Sequence, residues 1–224
     1  FFTLLAELDA AVSAGAQSPA SGGGDVPAVP AISSVKEWEG FAAAVGKDVT
    51  VALAEAAVPV ALALASTAGE RRGWVALRSP DLRAAVVASL AAWFGDPGRE
   101  ILGCDLKEIL RLAPAAGEVC VARLFDLMLV SYLTKASVHG HSLEEIALER
   151  TGSKLRSAKE AGFDKGVEPA VGDERIGAWA AERLALVERF APVLRQELGA
   201  GALAELYSRI EAPLARNSAS VRCQ

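Results

Sequence analysis

The stretch Phe125-Asp-Leu-Met-Leu-Val-Ser-Tyr-Leu133 decides how the rest of this sequence is read. It follows an apolar run, Val119 to Leu124, that predicts a strand, and it predicts a helix reaching Thr134 with Asp126 as its N-cap. A strand that runs straight into a helix is half of a β-α-β unit. The other half lies just upstream. Glu100 to Leu102 reads as a short buried strand, and Asp105 stands where the N-cap of a helix through Leu112 belongs. Strands joined this way run parallel. Downstream, Ser142 followed three residues on by Glu145 has the capping-box pattern of a further helix start.

Farther upstream the pattern changes to a meander. Val49–Ala54, Val60–Ser66 and Gly73–Leu77 predict three antiparallel strands, on Val-Thr-Val alternation and the Gly69-Glu-Arg-Arg-Gly73 turn. Their many alanines weigh against β structure. Ser33 or Ser34 caps a short helix that carries Trp38 and Phe41. Ser79-Pro80-Asp81 opens a helix to Phe94, with Leu82, Val86, Leu90 and Trp93 on one face and Gly95-Asp-Pro-Gly98 as its stop. Thr151–Asp173 is polar, mixed in charge and interrupted by glycines, and is expected to be a mobile loop. Glu174–Leu198 predicts a long amphipathic helix, and Gly199–Gly201 separates it from a last helix ending near Ala212. Strands first and helices later, with a β-α-β passage between, predict an α/β domain with a mixed sheet flanked by helices.

Composition bounds the function. The chain has 224 residues, 52% of them hydrophobic, and a net charge of −5. No apolar run approaches the roughly 18–20 residues of a membrane span. Phe1–Leu8 lacks the basic region and cleavage pattern of a signal peptide. The opening Phe-Phe without a Met is expected of a fragment cut from a longer chain. Asp9–Ser34, built from Ala, Ser, Gly and Pro with Asp9 and Asp25 as its only charges, is expected to be a flexible linker. Cys104, Cys120 and Cys223 form no C-x-x-C pair, which favours a reducing, cytoplasmic setting. His139 and His141 have no further metal donors nearby and read as part of a polar loop. An acidic chain has no overall attraction for nucleic acid, so any DNA contact requires a local basic patch. Arg71-Arg72 and the Lys154, Arg156, Lys159, Lys165 cluster are the candidates, and both read better as solvated surface. Trp93 and Trp179 lie on apolar helix faces and are expected in the core or at a domain interface. Phosphate-binding loops, dinucleotide fingerprints, nucleophile elbows and H-E-x-x-H are absent from the sequence.

Taken in order, several segments resemble the 3′–5′ exonuclease (proofreading) domain of bacterial DNA polymerase I, a family A polymerase. Phe125–Leu133 is similar to that family's F-D-T-M-L-x-S-Y-I/L. Leu143-Glu-Glu-Ile-Ala147 follows at the right spacing. Gly103-Cys-Asp-Leu-Lys107 is similar to G-x-N-L-K, and Ile210-Glu-Ala-Pro-Leu214 to the E-x-P-L before the polymerase domain. Phe2–Leu8 is similar to the segment leaving the 5′ nuclease domain. The resemblance implies a ribonuclease H-like fold over residues 35–216, preceded by the end of a 5′ nuclease region (1–8) and the linker (9–34). Residues 217–224 form an atypical tail. It also implies, as partners, the polymerase and 5′ nuclease domains of the same chain, DNA through the parent enzyme, no membrane, and a monomer in the bacterial cytoplasm at the nucleoid.

Active members of the family hold two divalent metals with four carboxylates, because paired ions about 4 Å apart stabilise both the attacking and the leaving oxygen. Hard Mg²⁺ or Mn²⁺ requires oxygen donors. The resemblance aligns those positions with Glu55, which lacks its paired acid, with Ile109 in place of an aspartate, and with Trp179 and Arg183 in place of a tyrosine and an aspartate. Asp126 is retained at a position that serves the fold. No catalytic, cofactor-binding or metal residue is therefore expected, and the leading expectation is an inactive proofreading domain acting as a spacer. Two alternatives stand beside it. One is a residual exonuclease using Mg²⁺ or Mn²⁺ held by Glu55, Asp105, Glu108 and Glu182. The other is an unrelated helical interaction domain.

Overall fold

A computed structural model of the chain describes residues 29–55, 58–67, 69–113, 122–136, 140–163 and 173–215. Among the described residues, six strands form one sheet: β1 (Ala31–Ile32), β2 (Val49–Glu55), β3 (Pro59–Ser66), β4 (Arg72–Ala76), β5 (Glu100–Gly103) and β6 (Arg123–Asp126). Their order across the sheet is β1-β4-β3-β2-β5-β6. β2, β3 and β4 pair antiparallel, whereas β2–β5 and β5–β6 pair parallel. The predicted meander and the predicted parallel strands are both present. A central mixed sheet overturns the reading as an unrelated helical domain.

Among the described residues, seven helices flank the sheet: α1 (Val35–Ala44), α2 (Pro80–Phe94), α3 (Leu106–Leu112), α4 (Leu127–Thr134), α5 (Leu143–Thr151), α6 (Glu174–Leu198) and α7 (Ala202–Leu206). α7 runs into a π-helical turn, Tyr207–Glu211. The Ser34 hydroxyl accepts from the Glu37 N–H and caps α1. At α5 the capping box is complete, with Ser142 and Glu145 satisfying each other's backbone N–H groups. No described helix is long and apolar enough to cross a membrane.

Side chains alternate across a strand, and here the alternation sorts them by size. Val49, Val51, Leu62, Leu64, Val75 and Ile101 pack with residues of α1, α2 and α3 in one core. Ala52, Ala54, Ala61, Ala63, Ala65 and Ala76 pack with residues of α4, α5 and α6 in another. The alanines that weighed against strands therefore have a structural reason. They make the flat face over which the 25-residue α6 lies against β2, β3 and β4. Gly177 completes that close approach, since a Cβ there would come within 2.5 Å of the Trp74 indole.

The structure departs from expectation in four places. The expected linker, residues 9–34, ends in a strand: Ala31 and Ile32 pair parallel with Trp74 and Val75, anchored by the Trp74 N–H to Pro30 C=O bond of 2.9 Å. Its residues 9–28, like residues 1–8 and 217–224, lie outside the described residues. Of the strand expected over Val119–Leu124, residues 119–121 lie outside the described residues; the described strand is Arg123–Asp126, which runs two residues farther and takes Phe125 into the sheet, while the helix begins at Leu127 as the Asp126 cap requires. The loop expected over Thr151–Asp173 buries Leu155, Ala161 and Phe163 in the α6-side core, and its residues 164–172 lie outside the described residues. The last helix gives way to the π turn, which buries Tyr207.

Candidate functional site

Parallel pairing brings the C-terminal ends of β2 and β5 to the same edge of the sheet, where α/β folds generally form their clefts. A cleft of about 290 Å³ opens there. Glu55 reaches it from the end of β2, where the β2–β3 register shifts between Ala54 and Glu55. Such an irregularity redirects the side chains beside it. Cys104 and Asp105 enter from the β5–α3 junction, and Glu108 from α3. Met128 comes from α4, Ser142 and Glu144 from the start of α5, and Arg183 and Val187 from α6.

Acids crowd this cleft. Burial raises the carboxyl of Glu55, and the charges of Glu108 and Asp105 raise it further, against the opposing pull of Arg111 and Arg183. Asp105 is raised by burial first and then by Glu108. Burial also pushes the Cys104 thiol well up, so it stays protonated and is a poor nucleophile. Arg183, 7% exposed, lines the same cleft. Its guanidinium pairs with Glu144, lies 4.9 Å from the Trp179 ring centroid, and keeps a buried Nε–H without a partner among the described residues.

Asp126 supports the cleft from beneath. It is 2% exposed. Its carboxylate accepts from the N–H groups of Asp105 (3.0 Å), Leu106 (2.8 Å) and Met128 (3.0 Å). It thus caps its own helix, as expected, and also caps α3. Asp105 does not perform that second role. It adopts φ 54°, the left-handed region, and makes no side-chain cap. The Tyr207 hydroxyl accepts from the Asp126 N–H and donates to the Leu124 carbonyl, which ties the π turn to β6. Burial outweighs the three backbone donors and pushes the Asp126 carboxyl up to about 6.

The residues singled out in the sequence divide sharply here. Glu55, Asp105 and Glu108 line one cleft. Glu182, one residue from Arg183, points elsewhere and accepts from Arg156 Nε at 2.8 Å. Ile109 is fully buried among the side chains of the opposite core, so the acid this turn presents to the cleft is Glu108. Trp179 is fully buried as well. Its indole N–H donates to the Arg156 carbonyl at 3.0 Å and its ring stacks on Phe163. Glu144 escaped the sequence reading, although its place in the first turn of a capped helix, beside the positive end of the helix dipole, was visible.

The remaining candidates among the described residues are surface or packing residues, and Lys165 lies outside the described residues. Arg72 pairs with Glu188 at 2.9 Å and Lys154 with Glu160 at 3.5 Å. Trp93 packs on Trp38 in the core. His141 hydrogen-bonds Ser131 and meets the Tyr132 ring edge-on, while His139 lies outside the described residues. Among the described residues, no three His, Cys, Asp or Glu side chains are grouped so as to hold a metal ion. The buried guanidinium of Arg183 shares the cleft with the acids.

No protein-family model matches the chain, and no curated protein matches it. Solved structures do. The POL domain of Pol1 from M. smegmatis, in complex with DNA primer-template and dNTP, matches over 83% of this chain at 21% identity with a TM-score of 0.55. The chain spans only 29% of that polymerase's length. Trypanosoma brucei RNase D matches over 86% of this chain and 72% of its own, at 8% identity and a TM-score of 0.62. The catalytic core of RRP6 from Trypanosoma brucei matches over 84% and 52%, at 15% identity and a TM-score of 0.60. The fold is ribonuclease H-like, as the resemblance implied.

Proposed function

We propose that this chain is a 3′–5′ exonuclease-like domain of a bacterial DNA polymerase I that has lost its metal centre and serves as a spacer. One observation carries the reading: the buried guanidinium of Arg183 stands among the acids of the cleft. Two-metal hydrolysis needs several carboxylates converging on one point. A fixed cation beside them repels the ions those carboxylates would have to bind. The parent chain is then a DNA-directed DNA polymerase. Its polymerase and 5′ nuclease domains are this domain's partners, DNA is gripped through the parent enzyme, and the assembly is a monomer in the cytoplasm at the nucleoid. The likeness in fold to the Pol1 structure and the ordered motifs Phe125–Leu133 and Ile210–Leu214 support that parentage.

A second reading has an observation of its own. Glu55, Asp105 and Glu108 share the cleft, which is the start of a donor set for a residual exonuclease using Mg²⁺ or Mn²⁺. Glu182 does not join them. Release of nucleotides from a labelled single strand separates the two readings, using the 224-residue chain freed of host nucleases, with Mg²⁺ or Mn²⁺. No release above a no-enzyme control is expected. Metal-dependent loss of 3′ nucleotides that disappears on Glu55→Ala would establish the second reading instead.

A further inference from the structure

Arg183 does more in this cleft than exclude a metal. A buried guanidinium is costly to keep charged, so its surroundings must compensate it. The partner nearest to it is Glu144, at the start of α5. Its field also reaches Glu55 and Cys104, where it lowers pKa values that burial and the neighbouring acids raise. Glu55 at the end of β2, Asp105 and Glu108 at the start of α3, and Glu144 on α5 line the cleft together, and the charges of Glu108 and Asp105 act against a charge on Glu55. Arg111 offsets part of this repulsion by pairing with Glu108 at the rim. Arg183 is the cation that lines the cleft itself. Of the five N–H donors on a guanidinium, Nε–H is buried without a partner among the described residues.

We propose that Arg183 is the resident counter-cation of this cleft: it stands in for the divalent ions electrostatically, and the acids are tolerated there because Arg183 neutralises them. The inference rests on the reading of the cleft as one that has lost its metal centre. It makes Arg183 and the acids one electrostatic unit, so that neither side is neutral to substitution while the other is present.

The competing account is packing, since Arg183 also covers Trp179. Thermal melts of the 224-residue chain distinguish them through the sign of a double-mutant cycle. Arg183→Met keeps an apolar stem and removes the charge, and its melting temperature is expected to fall. Glu144→Gln is expected to lower the melting temperature when Arg183 is present and to raise it in the Arg183→Met background, where the acid has become an unpaired like charge. Glu55→Gln is expected to raise it in that background too. Glu144→Gln lowering the melting temperature equally in both backgrounds would overturn the proposal. Arg183→Met alone is at risk of not folding. The triple variant Arg183→Met, Glu55→Gln, Glu144→Gln is then expected to fold, and its failure would assign Arg183 to packing.

Millimolar Mn²⁺ supplies the second arm. It is expected to raise the melting temperature of Arg183→Met, or of Arg183→Ala if that folds better, on the order of 5 °C, and to leave the wild-type protein unmoved. A variant indifferent to Mn²⁺ overturns this inference and leaves the inactive-domain reading intact. A wild-type protein that Mn²⁺ stabilises overturns the inactive-domain reading itself.

Discussion

Ile109→Asp is expected to unfold the domain rather than rebuild a metal site. The motif alignment puts an aspartate at this position, and restoring it is the natural attempt at rescue. But Ile109 is fully buried with Leu106 and Leu110 in the core beneath α3, and it is Glu108 that faces the cleft. Deleting the isoleucine side chain costs about 2–5 kcal/mol in lost burial and cavity. Burying an unpaired carboxylate adds several more, or forces the group to take up a proton. Together these approach the whole stability of a domain, about 5–15 kcal/mol. Ile109→Val, which removes one methyl, is expected to cost only about 1 kcal/mol. Urea melts followed by far-UV circular dichroism report both. An Ile109→Asp protein with a wild-type midpoint would mean that position 109 faces the cleft after all.

Trp179→Ala is expected to destabilise the domain by about 4 kcal/mol, the range typical of a fully buried indole. Three contacts go at once: the indole N–H to the Arg156 carbonyl, the stack on Phe163, and the ring face under Arg183. The conservative swap to the tyrosine of the motif this segment resembles, Trp179→Tyr, is expected to cost about 2 kcal/mol and to bring no nuclease activity. Its smaller ring leaves a void, and its hydroxyl enters a pocket shaped for an indole. If Trp179→Tyr melted with the wild type, the indole would be a replaceable wall of the cleft and not a structural anchor. The measurement is the urea midpoint of each variant, alongside the nucleotide-release assay.

Much of this was legible because local signals agreed with global ones. Ser34 and Ser142 announced their helices through capping chemistry that acts within four residues, and Glu174–Leu198 announced α6 through its apolar period. The meander was legible in spite of its alanines, whose purpose depends on a helix more than a hundred residues later. The candidate site was harder to read for the same physical reason. Whether residue 108 or 109 faces the cleft depends on the rotation of α3, and that is set by Leu106, Ile109 and Leu110 entering the core. Glu182 and Glu144 exchanged importance because α6 turns Arg183 to the cleft and Glu182 to Arg156. Asp126 was legible as the cap of its own helix, since that bond is local. Its second role, capping α3 across 20 and 21 residues, required the fold.

Anomalous diffraction from a crystal of the chain soaked in Mn²⁺ tests most directly whether the cleft has lost its metal centre. The predicted result is no manganese peak between Glu55, Asp105 and Glu108, with the Arg183 guanidinium in place against Glu144. One or two manganese peaks bridged by those three carboxylates would contradict it.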